Sequence, residues 1–132
     1  MLKLTISSAA RSQMVDITAE VNSVVRKSDL QSGICHLYVP HTTAAVTVNE
    51  SADAFVAEDI LEHLRSLVPA DAHYKHREGN SDAHIKASLI GPDVTVPIQD
   101  GHLALGSWQG VFFCEFDGPR QRQVWVTLIK ET

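Results

Sequence analysis

Three polar segments of this chain carry side chains that bind metals, anions or protons. The first runs from His41-Thr42-Thr43 to Asn49-Glu50. The second is Tyr74-Lys75-His76 followed by Glu78-Gly79-Asn80-Ser81-Asp82-Ala83-His84-Ile85-Lys86. The third is Gly106-Ser107-Trp108-Gln109-Gly110. Each lies beside a predicted strand or helix end, and a short chain has few reasons to keep them all unless they meet. The expectation is one shared cavity.

An imidazole can ligate a divalent metal or move a proton near neutral pH. His41 follows Pro40 at a strand junction, where a side chain can turn into a cleft. Three histidines from two segments would make a tetrahedral zinc site with one open position. His84 and Lys86 lie in a helix expected to be capped by Ser81, where free N–H groups and the helix dipole favour an anion. Glu50 and Asp59 could act as general bases or orient a histidine. Thr42, Thr43, Asn49, Asn80, Ser81 and Gln109 offer hydroxyl or amide groups to a ligand. The Trp108 indole offers a flat face for an aromatic ring. Arg120 and Arg122 could clamp a phosphate. His36, His63, His73 and His102 are read as structural or as bystanders. No nucleophile elbow, P-loop, dinucleotide fingerprint or HExxH motif appears.

The chain has 132 residues, 44% hydrophobic and 20% charged, with a formal charge of −5. One α+β domain spanning residues 1–132 is expected. The negative balance argues against nucleic acid and against an anionic membrane surface. It leaves room for one small phosphorylated ligand, which needs only local positive groups. The two cysteines, Cys35 and Cys114, sit in separate apolar runs and read as buried thiols. The first residues lack the run of a signal peptide, and no stretch approaches a membrane span, so a cytoplasmic location is expected.

The elements that must position these groups follow from periodicity. Alternation predicts strands at Leu2–Ile6, Met14–Ile17, Gly33–Pro40 and Thr42–Val48. Helical spacing predicts one helix from a Thr18 cap to Lys27, and another from a Ser51 or Asp53 cap to Val68. The Ser81 helix should stop at Gly91-Pro92. Further strands are expected at Asp93–Gln99, Gly101–Leu105, Trp108–Phe116 and Gln123–Lys130, with a hairpin turn at Asp100-Gly101. Consecutive strands near the end imply a mostly antiparallel sheet with two to three helices.

The chain resembles the YjbQ family, also called secondary thiamine-phosphate synthase enzymes. The matching residues are His41-Thr42-Thr43, Asn49-Glu50, Asp59, Tyr74 with His76, Glu78-Gly79-Asn80 through Lys86, Pro97, Gly101 and Gly106-x-Trp108-Gln109. The family's usual threonine before the tryptophan is Ser107 here. The resemblance implies a homotrimer with a pocket near the subunit interface. It implies a divalent metal, zinc or magnesium, held by His41, His76 and His84. It also implies a weak activity joining a pyrimidine diphosphate to a thiazole phosphate with release of pyrophosphate. Glu50, Asp59 and Lys86 would be the catalytic groups. Two other readings remain open: a phosphometabolite-binding trimer without turnover, and a zinc-dependent hydrolase of a small ester or amide.

Overall fold

The computed structural model describes all 132 residues as eight strands and three helices. The strands are β1 Leu2–Ser7, β2 Gln13–Asp16, β3 Gly33–Tyr38, β4 Ala44–Glu50, β5 Asp93–Gln99, β6 His102–Leu103, β7 Gln109–Glu115 and β8 Gln121–Lys130. The helices are α1 Thr18–Lys27, α2 Ala54–Leu67 and α3 Ser81–Ile90. A five-stranded sheet has the order β1-β8-β3-β5-β6, and a three-stranded sheet has the order β2-β7-β4. Every strand pair is antiparallel. The expected α+β architecture is therefore present. No helix is long and apolar enough to cross a membrane.

The main core lies between the two sheets and α1. Cys35 and Leu37 of β3, Val96 and Ile98 of β5, and Val124 and Val126 of β8 line one wall. Val46 of β4, with Val111 and Phe113 of β7, forms the other, and Val21 and Val25 of α1 close it. The two-residue period of the strands aims these side chains inward. β7 is apolar on both faces because its second face meets α2 and α3. There Phe112, Cys114 and Phe116 pack with Leu64, Ala83 and Ala87.

Several element ends differ from the sequence expectations. Thr18 is the first residue of α1, not its cap. Its hydroxyl donates to Asp16 Oδ1 at 2.6 Å and accepts the Val111 N–H at 2.8 Å. Asp53 caps α2 by accepting the Phe55 N–H. Asn80, not Ser81, occupies the cap of α3. The strand expected at Gly101–Leu105 shrinks to His102–Leu103. β7 begins at Gln109, so Trp108 lies in the turn before it.

Phe113 is fully buried between the sheets. Phe113→Ala should lower the unfolding free energy by about 3–5 kcal/mol. Urea unfolding checks this, and a loss below about 1 kcal/mol would contradict the placement of the core.

Candidate functional site

A buried ion pair lies at the far end of β7. Glu115 closes an apolar run, and its carboxylate is fully buried. Such a charge is tolerated only when its lone pairs are satisfied. Arg122, across the β7–β8 connection, donates Nε–H to Oε1 at 2.9 Å and Nη2–H to Oε2. The Ser8 hydroxyl adds a bond to Oε1 at 2.7 Å, and the Asp117 N–H one to Oε2 at 3.0 Å. Arg122 also donates to the Thr43 hydroxyl at 2.8 Å. Burial alone would raise the Glu115 pKa. The bonds from Arg122, Ser8 and Asp117, with the charge of Arg122, outweigh it and leave the carboxyl below its ordinary range.

His41 stands beside this pair. The Gln123 N–H of β8 donates to its Nε2 at 2.9 Å. Burial, and then the charge of Arg122, push its pKa below the ordinary value of 6.5.

The α3 start lies at the same end. Arg11, in the β1–β2 turn, donates to Asp82 Oδ1 at 3.0 Å and to the Gly79 carbonyl at 3.3 Å. Asn80 Nδ2 donates to Asp117 Oδ2 at 3.0 Å. Its Oδ1 is the only buried side-chain polar atom without a partner. The His76 and His84 rings meet edge to face with centroids 5.4 Å apart. Glu78 Oε2 lies 3.6 Å from His76 Nε2. Two neighbouring imidazoles with a carboxylate beside them suit a divalent metal in chemical type. Within one chain they are not set as a complete ligand cluster, because no group of three His, Cys, Asp or Glu is poised to hold an ion.

Two expected groups are committed elsewhere. Lys86 is buried, and its Nζ donates to Asp82 Oδ2 at 2.9 Å, so the ammonium does not reach out toward a bound anion. The Thr43 hydroxyl is held by Arg122, which leaves the exposed Thr42 as the free one of the pair. Asp59 is exposed in the middle of α2 and makes no ion pair or hydrogen bond, including none with His63.

The third polar segment lies at the opposite end of the small sheet. Glu50 pairs with Gln109, and Ala44 with Glu115. Six residue steps at about 3.3 Å each put these ends about 20 Å apart. At the Glu50 end, most groups serve the local backbone. Asn49 Oδ1 accepts the Glu50 N–H, and Glu50 Oε2 the Ala52 N–H. Gln109 Oε1 accepts the Gly106 N–H at 2.8 Å. The Trp108 carbonyl accepts the Ser51 N–H, while its indole stays 68% exposed. The expectation of one cavity therefore does not hold within a single chain. There are two polar ends, one with the histidines and one with the indole.

Sequence reasoning passed over Ser8, Arg11 and Glu115, and read Asp82 only as part of a motif. A signal for Glu115 was present: a carboxylate between Cys114 and Phe116 in an apolar run requires a buried cation. Nothing local marks Arg11, whose partner lies 71 positions away.

Residues 2–131 match the model of the family described as UPF0047 protein YjbQ-like. The chain is 48% identical to the UPF0047 protein MJ1081 of Methanocaldococcus jannaschii, over 98% of this chain and 94% of that protein. It is 42% identical to the UPF0047 protein YugU of Bacillus subtilis, over 98% and 99%. The crystal structure of an uncharacterized conserved protein of the yjbq/upf0047 family from Clostridium acetobutylicum superposes with a TM-score of 0.95. That protein is 45% identical, and the match covers 98% of this chain and all of the other. A YbjQ-like protein of unknown function from Sulfolobus solfataricus gives 0.93 at 35% identity, over 98% and 95%.

Removing Glu115 leaves Arg122 uncompensated in the interior. Glu115→Gln should cost about 3–5 kcal/mol in urea unfolding at neutral pH. Because the folded pKa lies below the ordinary 4.5, the carboxylate contributes its full stability above that value. The contribution is lost as pH falls through the folded pKa. The wild type should therefore lose stability below pH 4.5 more steeply than the glutamine variant. Parallel acid profiles would contradict the assignment.

Proposed function

The chain belongs to the UPF0047 YjbQ-like family, and from that premise we propose a metal-assisted transferase working as a homotrimer in the cytoplasm. The proposed reaction joins a pyrimidine diphosphate to a thiazole phosphate and releases pyrophosphate. The observation that carries this reading is the His76–His84 pair beside the start of α3, at one end of the small sheet.

His76 and His84 would hold a divalent metal, zinc or magnesium, with further donors from the ligand or a neighbouring copy. When bound, such a metal supplies charge stabilisation to a departing pyrophosphate. The chain's own groups do the rest. The Ser81 N–H at the start of α3 would face the anion, since those of Ala83 and His84 are taken by the Asn80 carbonyl. Thr42 adds a hydroxyl. Trp108 gives an indole face on which a heterocycle can stack.

About 20 Å of sheet separates the Gln109 end, beside Trp108, from the Glu115 end, near which α3 begins, so we infer that one chain does not offer both to a small ligand. In a trimer, the Trp108 end of one copy would complete the histidine end of the next. Surface chemistry supports self-association. Helix α3 buries Asp82 and Lys86 yet turns Leu89 (57%) and Ile85 (39%) outward. Phe55 of α2 is 70% exposed. Apolar groups presented in this way favour burial against another surface.

A second reading has its own observation. Glu50 and Lys86, the expected acid–base groups, are committed to local bonds. That favours a trimer that binds a phosphorylated metabolite without turnover.

Light scattering should report three chains, and a monomer would remove the composite site. Metal analysis of purified protein should find about one ion per chain, lost in His76→Ala and His84→Ala. Metal retained in both variants would overturn the ligand assignment. Incubation with the pyrimidine diphosphate and the thiazole phosphate should release pyrophosphate above background. No release would favour the binding-only trimer.

A further inference from the structure

The imidazole of His41 has a defined tautomer. The β3–β8 ladder ends where Tyr38 faces Trp125. Beyond it the chain turns away through Val39 and Pro40, and the Gln123 N–H finds no strand carbonyl on that side. It donates to His41 Nε2 instead, at 2.9 Å. A backbone N–H cannot accept, so Nε2 must carry its lone pair and the ring proton must sit on Nδ1. Nδ1 has no partner in the chain and is not a buried orphan. It is open to a ligand.

We propose that His41 is a fixed neutral donor, its Nδ1–H directed at an oxygen of the phosphorylated ligand, and is neither a metal ligand nor a base. Coordination through Nδ1 would move the proton to Nε2 and set it donor-to-donor against the Gln123 N–H. Coordination through Nε2 would strip that N–H of its acceptor. Acting as a base would need the same lone pair. The charged groups facing the ring agree. Burial, Arg122 and Arg120 disfavour the imidazolium and outweigh Glu115 and the backbone contact at Gln123, which favour it. A neutral imidazole of this kind can polarise an oxygen without gaining or losing a proton. The inference rests on the proposed function only for the identity of the acceptor; the tautomer stands on the Gln123 bond.

Nitrogen-15 NMR of the imidazoles in the intact protein at neutral pH tests it. The expected result is an Nδ1-protonated His41 with an accepting Nε2. Added zinc should shift His76 and His84 and leave His41 in place. Added pyrophosphate should shift the His41 Nδ1–H. A ring protonated at Nε2, a zinc-induced shift of His41, or bound pyrophosphate that leaves its Nδ1–H unmoved would each overturn the proposal. If zinc binds nowhere while His41 keeps this tautomer, the metal reading fails and the donor does not. Among variants, His41→Asn puts an amide donor near the Nδ1 position. It should hold pyrophosphate within about twofold of wild type, whereas His41→Ala should weaken it about tenfold. Wild-type affinity in the alanine variant would overturn the ligand role.

Discussion

The antiparallel register of β4 on β7 sets the distance on which the site depends. Ala44 faces Glu115 at one end and Glu50 faces Gln109 at the other. A one-residue slip would turn Val46 and Phe113 out of the core, so the apolar faces hold this pairing firmly. The same pairing keeps the exposed indole and the histidine pair apart. A rigid sheet cannot fold back to join them. Under the proposed reading, a ligand served by both ends is reached from two copies.

The histidine end is held by charges that cannot leave. Glu115 and Arg122 neutralise each other inside the fold and fix Thr43 and Ser8 beside them. Asp82 takes Lys86 on one oxygen and Arg11 on the other. These ion pairs tie the β1–β2 turn, the β7–β8 connection and the start of α3 together. Buried pairs of this kind add little net stability over apolar packing, yet breaking one costs several kcal/mol. Their main effect is to fix the backbone from which His41, His76 and His84 project.

Much of this fold was legible in the chain. Alternation in Leu2–Ile6 and Gly33–Val39, the apolar stripe of α2 and the Asp100-Gly101 turn all follow from local physics, and the elements form there. The site was legible as a set of residues, not as an arrangement. Lys86 looked like a free cation although Asp82 stands four residues before it on α3; the spacing allows the pair but does not reveal that packing buries it. Thr43 looked like a ligand hydroxyl because Arg122 stands 79 positions away. Trp108 looked like the start of a strand, since its aromatic character suits one. The expectation of a single cavity failed for a geometric reason. The spacing of motifs along the chain does not say which end of a strand pair each one reaches.

Subunit mixing tests the composite site most directly. Copies carrying His84→Ala and copies carrying Trp108→Ala should each lose pyrophosphate release alone. After exchange in equal amounts, a heterologous interface would pair two intact halves in about a quarter of sites and recover about that share of activity. Mixed assemblies that exchange fully and recover nothing would contradict the account.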